Sequence, residues 1–350
     1  MICSPRFWKL RLTPEIHSSV ALTVRKTMPK ITIIIPAYNS AAFIGEALRS
    51  VFNQTYTDFE VVIVNDGSTD DIRGALEPYI DRVRYFRQEN QGPAQARNRA
   101  IEEAGGEYIA FLDADDLWEP EKLAKQIREF ERNPELGMII TENSLFDERG
   151  IFRHTVGKRE YLMKGDIPQN IFLKSGVVTP TVMVRREVLD QVGVFEQQLR
   201  IAEDDNLWIR IAANYPVALI DEPLVKVRDH RNRTMRVTPN LSEYVGENVR
   251  LLTTKYGDAV RRRIEPVVPE KLYLMRFTSG YRHFEQQNYR EARRAFRKAL
   301  EYRRFSPKLY AYLAATCLPA PLIRFIQLIK RKGLPSSFST PKWFRSEDPK

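Results

Sequence analysis

Three short, strongly apolar runs in the first third of the chain each end abruptly in a polar cluster. Ile31-Thr32-Ile33-Ile34-Ile35 passes into Pro36-Ala37-Tyr38-Asn39, Phe59 to Val64 into Asn65-Asp66-Gly67-Ser68, and Tyr108 to Leu112 into Asp113-Ala114-Asp115-Asp116. Apolar, β-branched runs without polar alternation read as strands buried on both faces, the pattern of a parallel sheet. Between them lie segments with helical signals: Ala41 to Phe52 with Ile44, Leu48 and Val51 in register, Asp70 to Tyr79, and Gly92 to Ala104 with Gly105-Gly106 as its stop. A further strand is expected at Val83 to Phe86. The alternation predicts an α/β fold with a doubly wound, mostly parallel sheet. Ligands of such sheets bind beyond the carboxyl ends of the strands, where the three polar clusters fall.

The later pattern is less regular. A helix is expected from Glu119 to Phe130, strands at Gly137 to Thr141 and Thr179 to Val184, and a helix around Asn206 to Ala213 after the acidic run Glu203-Asp204-Asp205. Beyond Thr238 the chain reads as helical. Gly280-Tyr281, Phe284, Tyr289, Ala292, Phe296 and Ala299, with Pro307, resemble one tetratricopeptide repeat. One repeat cannot bury both of its faces, so it reads as a helical hairpin packed on the main domain. The expected division is a leader over 1–29, a catalytic domain over 30–238, a helical region over 239–335 and a tail over 336–350. Met28 and Met1 are both candidate starts.

Charge sharpens this division. The formal net charge is +10, yet residues 261–350 carry 21 basic and 7 acidic side chains against 34 and 38 in residues 1–260. The basic excess therefore belongs to the C-terminal region. No nucleic-acid motif accompanies it, so no nucleic-acid partner is expected. Leu318 to Lys330 mixes apolar residues with Arg324 and Lys330, which suits either packing on the hairpin or peripheral contact with an anionic membrane face. No run approaches the ~18 apolar residues of a membrane span. A cytoplasmic location follows as the expectation, with peripheral association at the inner membrane face. The two cysteines, Cys3 and Cys317, are far apart and the four histidines do not cluster, so a metal here should be a hard cation held by oxygens.

Asp113-Ala114-Asp115 places alternate carboxylates just past a buried strand. Such carboxylates repel, and a divalent cation shared with substrate phosphates relieves the repulsion. Alone, the run is equally a solvated turn or the cap of the next helix. Asp66 reads either as part of a strand-to-helix turn or as an acceptor for a ligand's base N–H. Arg97 lies in the helix opened by Gly92-Pro93 and reads either as a surface arginine on a surface helix or as a partner for a diphosphate, which the helix start suits. Glu203, Asp204 and Asp205 either complement a helix dipole or supply a general base for a hydroxyl.

Together these elements resemble family 2 glycosyltransferases: Ile33 to Asn39, Val61 to Asp70, Gly92 to Ala100, Phe111 to Asp116 and Ala202 to Trp208, over roughly residues 30–235. The resemblance implies a GT-A fold and inverting transfer from a nucleotide-diphosphate sugar, commonly a UDP-sugar, to a glycan or lipid-linked acceptor in polysaccharide or glycolipid assembly. It implies that Pro36, Tyr38 and Asp66 line the nucleoside pocket and that Arg97 sits near the diphosphate. Asp113 would contact the ribose or metal, and Asp115 would bind Mg2+ or Mn2+. Asp204 would be the catalytic base, with Glu203 beside it at the acceptor. Arg228 and His230 resemble a basic pair that closes over the diphosphate. Asn206 departs from the pattern, since many members carry a second acid there. A nicotinamide dehydrogenase is disfavoured because no glycine-rich fingerprint follows the first strand. A non-catalytic scaffold on the same fold is disfavoured by the intact acids.

Overall fold

A computed structural model describes residues 29–155, 157–199, 201–229 and 241–318. The leader up to Met28, His230 and the segment from Pro319 onward lie outside the described residues. One sheet organises the molecule. Its strands are β1 (Ile31–Ala37), β2 (Phe59–Asp66), β3 (Arg84–Gln88), β4 (Tyr108–Phe111), β5 (Leu117–Trp118), β6 (Met138–Asp147), β7 (Gly150–Thr155), β8 (Met183–Arg185) and β9 (Val217–Arg228). The order is β3-β2-β1-β4-β8-β6-β9-β5, with β7 paired to β6. The first four strands are parallel, as the buried runs require, whereas β8 pairs antiparallel with both β4 and β6. Alternate residues feed two cores. Ile34, Val62 and Phe111 face one side, and Ile33, Ile35 and Ile63 face the other.

Three expected elements differ in form. The Thr179 to Val184 segment, expected as a strand, is a 3-10 turn at Thr179–Thr181, where Pro180 cannot donate to a ladder, and the strand covers only Met183–Arg185. The Asp70 to Tyr79 segment is a single helical turn, Ile72–Ala75, followed by a 3-10 stretch, Glu77–Arg82. Pro78 lacks the N–H that a continuing α-helix would need there. The helix after the late acidic run begins within it, as Glu203–Asn214, because acids in a first turn complement the helix dipole. Sequence periodicity also missed β9. Its Asp221-Glu222-Pro223 interruption is accommodated where the β6–β9 register shifts, with Pro223 opposite Glu142. Such a bulge admits a proline inside a sheet.

Gly105-Gly106 does more than stop a helix. The helix Pro93–Glu103 has already ended, and a Cβ on Gly106 would lie 2.4 Å from the Thr32 nitrogen of β1. The C-terminal part is helical, with Leu241–Thr254, Gly257–Ile264, Val268–Glu285, Tyr289–Ala299 and Pro307–Ala315. The repeat-like pair is present. Gly280 lets Phe296 approach so closely that a Cβ would sit 2.5 Å from its ring. Tyr273, Phe277, Phe284 and Phe296 form a separate small core there. No helix among the described residues is long and apolar enough to cross a membrane.

Candidate active site

The loops beyond β1 and β2 are stitched into one floor. Asn39, at φ +48°, donates its N–H to Ser68 Oγ (3.0 Å) and accepts from the Thr69 N–H (2.9 Å). The Ala41 N–H donates to Asp70 Oδ2 at 2.7 Å. Pro36 lies half-buried within β1, and Tyr38 stands on the rim, 53% exposed. Asp66 is buried and accepts from Gln88 Nε2 (2.8 Å) and from the N–H groups of Gln91 (2.9 Å) and Gly92 (2.8 Å). Charge-assisted bonds of this kind fix the turn that launches the Pro93–Glu103 helix. A carboxylate offers about four acceptor positions, so Asp66 retains capacity for one further donor.

Helix packing brings the two acidic runs together. Phe111 of β4 packs edge-on against Trp208, with ring centroids 5.5 Å apart, and Phe195 completes a triad at 5.5 and 5.8 Å. Asp113 lies two residues beyond Phe111, and Asp204 lies one helical turn before Trp208 on the same face. Asn98 secures the third ring by bonding both the N–H and the carbonyl of Phe195, at 3.0 and 2.9 Å. Arg97, one residue earlier, bridges the runs. Its Nη2 donates to Asp113 Oδ1 (2.8 Å) and its Nη1 to Glu203 Oε1 (2.9 Å). Burial opposes the guanidinium charge, but Asp113 and Glu203 outweigh it and hold Arg97 protonated above its ordinary range.

The second run sits in a tense electrostatic setting. Ala202, which caps its helix, adopts left-handed backbone at φ +61°. Burial first, then the Asp204 carboxylate, push Glu203 up to about 7 against the pull of Arg97. The same two causes push Asp205 up to about 7 against Lys271 and Ser175. Lys271 belongs to the Val268–Glu285 helix, so the C-terminal region contributes positive charge near this run. Asp204 accepts from Thr179 Oγ1 at 3.1 Å. Asn206 is fully buried between Asn248, to which it donates at 2.8 Å, and Arg210, from which it accepts at 2.9 Å.

Arg228 holds the first run from the opposite side. Its N–H donates to Asp116 Oδ1 (2.8 Å), its Nε to the Asp115 carbonyl (2.9 Å) and its Nη2 to Glu46 (2.7 Å). The guanidinium lies over the Phe43 and Phe146 rings at 5.0 and 4.5 Å. Its position fixes the loop that carries Asp115. Among the described residues no three His, Cys, Asp or Glu side chains are gathered as a metal cage. Asp113 and Asp115 nevertheless suit Mg2+ or Mn2+, which need only one or two protein carboxylates when phosphates complete the shell. Asp113 is partly exposed and gives Arg97 only Oδ1.

Thr179, Lys271, Glu46 and Asn98 were not singled out from sequence. Asn98 alone had a signal, because it adjoins Arg97 in the same helical motif. Another buried charge pair lies apart from these residues. Lys158 donates to the Thr141 carbonyl (2.7 Å) and to Asn143 Oδ1 (3.1 Å), 3.8 Å from Glu142.

The mixed sheet and its flanking helices match the GT-A glycosyltransferase fold of solved structures. TarS of S. aureus, residues 1–349 in complex with UDP-GlcNAc, matches with a TM-score of 0.59 at 21% identity, over 85% of this chain and 87% of that one. The mannosyltransferase PcManGT from Pyrobaculum calidifontis, in complex with GDP-Man and Mn2+, matches at 0.58 and 20% identity, over 89% and 83%. The profile of "Glycosyl transferase family 2" matches residues 32–193. A putative teichuronic acid biosynthesis glycosyltransferase of Bacillus subtilis, TuaG, is 35% identical over 188 residues, 52% of this chain and 72% of that protein. The chain belongs to glycosyltransferase family 2. It spans about a third of the length of the first curated relatives it matches, uncharacterized glycosyltransferases of Rickettsia species.

Proposed function

We propose that this chain transfers a sugar, with inversion, from a nucleotide-diphosphate donor to a hydroxyl of a glycan or lipid-linked acceptor in polysaccharide or glycolipid assembly. A UDP-sugar is the favoured donor. The observation that carries this reading is Arg97, which bonds Asp113 and Glu203 at once and so joins two acidic runs distant in sequence. Structural relatives bound to UDP-GlcNAc and GDP-Man support a nucleotide-sugar donor, and the name of TuaG supports a polymer product.

In this reading Pro36, Tyr38 and Asp66 receive the nucleoside. Asp115, with Asp113, would hold Mg2+ or Mn2+, which when bound offsets charge on the diphosphate. Arg97 contributes its buried positive charge to the same end. Asp204 accepts the proton of the acceptor hydroxyl as its oxygen attacks the anomeric carbon. The bond from that carbon to the diphosphate oxygen breaks on the opposite face, so one base suffices and the configuration inverts. Thr179 orients the Asp204 carboxylate through its hydroxyl. Glu203 already accepts from Arg97, which leaves it less free for this role. Arg228 fixes the Asp115 loop.

A thermal-shift panel of UDP, GDP and dTDP, each with Mn2+ or EDTA, tests the donor. One nucleotide should stabilise the protein in a manganese-dependent way, since a ligand of the native state raises stability by mass action. No shift with any nucleotide in folded protein would return the weight to a scaffold.

A further inference from the structure

We propose that the last described helix and the loop before it form a docking surface for an anionic lipid bilayer. The proposal concerns a surface separate from the transfer site. The helix Pro307–Ala315 buries one side, where Leu309 lies in the small core and Tyr312 packs on Phe277 and Phe296 at 5.6 Å. Its other side is exposed and uncharged. Pro307, Tyr310, Ala311 and Ala314 follow at i, i+3, i+4 and i+7 along the helix, and Leu318 lies in the turn after it. Phe305, in the loop just before, is 92% exposed, Tyr310 is 52% and Leu318 is 38%. A large aromatic held almost wholly in water, beside an apolar stripe, marks an interaction surface rather than a scattered surface residue.

Charge identifies the occupant. The neighbouring helix Tyr289–Ala299 buries Ala292, Phe296 and Ala299 and exposes Arg290, Arg294 and Arg297 along one outer face. Arg304 adjoins Phe305 and is also exposed. From Tyr302 to Ser346 the chain has no Asp or Glu. An apolar stripe with an aromatic tip, an arginine beside that tip and a net basic helix preceding it matches the boundary of acyl chains and anionic headgroups. A soluble polyanion would account for the arginines but not for the uncharged stripe.

The test is flotation of the full chain with vesicles of phosphatidylcholine alone or mixed equally with phosphatidylglycerol. Wild-type protein should float at least tenfold more with the anionic vesicles and lose that excess in high salt. Phe305→Asp with Tyr310→Asp should lower flotation at least tenfold without altering circular dichroism or the nucleotide thermal shift. In a Cys3→Ser background, Cys317, which is exposed, should react with a maleimide in buffer and be protected by anionic vesicles. Three results would overturn the proposal: no flotation with anionic vesicles, equal flotation of the Asp variants, or retention on dextran sulfate alone. Protection of Cys317 without vesicles would also overturn it and assign the face to the chain's own C-terminal segment. Concentration-dependent protection with dimers in light scattering would assign it to a second copy.

Discussion

The two acidic runs are built on opposite plans. Asp113-Ala114-Asp115-Asp116 ends a strand, and basic and backbone partners hold it open: Arg97 on one side, Arg228 on the other. Glu203-Asp204-Asp205 begins a helix, and there burial drives two of the three acids toward their neutral forms. The first plan suits a cation and a diphosphate, because its charges remain near solvent. The second suits proton transfer, because crowding separates the behaviour of adjacent carboxylates. Arg97 bonds both, through Asp113 and Glu203.

Removing that link should have the largest effect. Arg97→Met leaves Glu203 buried without its cation, and loss of one partner from a buried pair costs about 3–5 kcal/mol. Denaturant unfolding should show that loss, and transfer should fall below detection. Adding Glu203→Gln should restore part of the stability, whereas a fully additive double variant would break the picture of a shared bridge. Next come the variants that separate the runs. Asp204→Asn should lower the transfer rate about 100- to 10,000-fold, the usual range for a general base, while donor binding persists. Asp115→Asn should instead abolish the manganese-dependent part of the nucleotide thermal shift. If both variants behaved alike, the division of labour would be lost.

The third contrast is in pH. Glu203 and Asp205 bind protons more readily in the folded protein than in the unfolded chain. Their contribution to stability is therefore complete below the ordinary carboxylate range and is lost as pH rises toward 7. Asp205→Asn should gain stability relative to wild type between pH 5 and pH 8, by about 1 kcal/mol or more, given ~1.4 kcal/mol per pKa unit. A constant difference across that range would count against the raised acid. The smallest effect should come from Ala202→Gly. Relief of left-handed backbone at φ +61° should stabilise the fold by about 0.5–1 kcal/mol with no change in the Asp113 run.

The same division separates what was legible in the sequence from what was not. The strand-end clusters could be read because a buried parallel strand must be apolar along its length, so its end is marked wherever polarity resumes. That placed Asp66 at the carboxyl end of β2 and Asp113 and Asp115 beyond that of β4, whereas the order of the strands came from the structure. The second half of the sheet was less visible. β9 is interrupted by Asp221-Glu222-Pro223, and only pairing with β6 across a register shift makes it a strand.

Sequence alone determined the family, the α/β class and the acidic runs, because these follow from local pattern and residue chemistry. Tertiary structure decided which acids meet. Arg97 joins Asp113 to Glu203 only because Trp208 packs on Phe111, and Arg228 reaches the Asp115 carbonyl only because β9 runs beside β6. Lys271 approaches Asp205 from a helix with no sequence signal linking the two. Contacts of this kind depend on the separation and burial of groups distant along the chain, and no local periodicity encodes either.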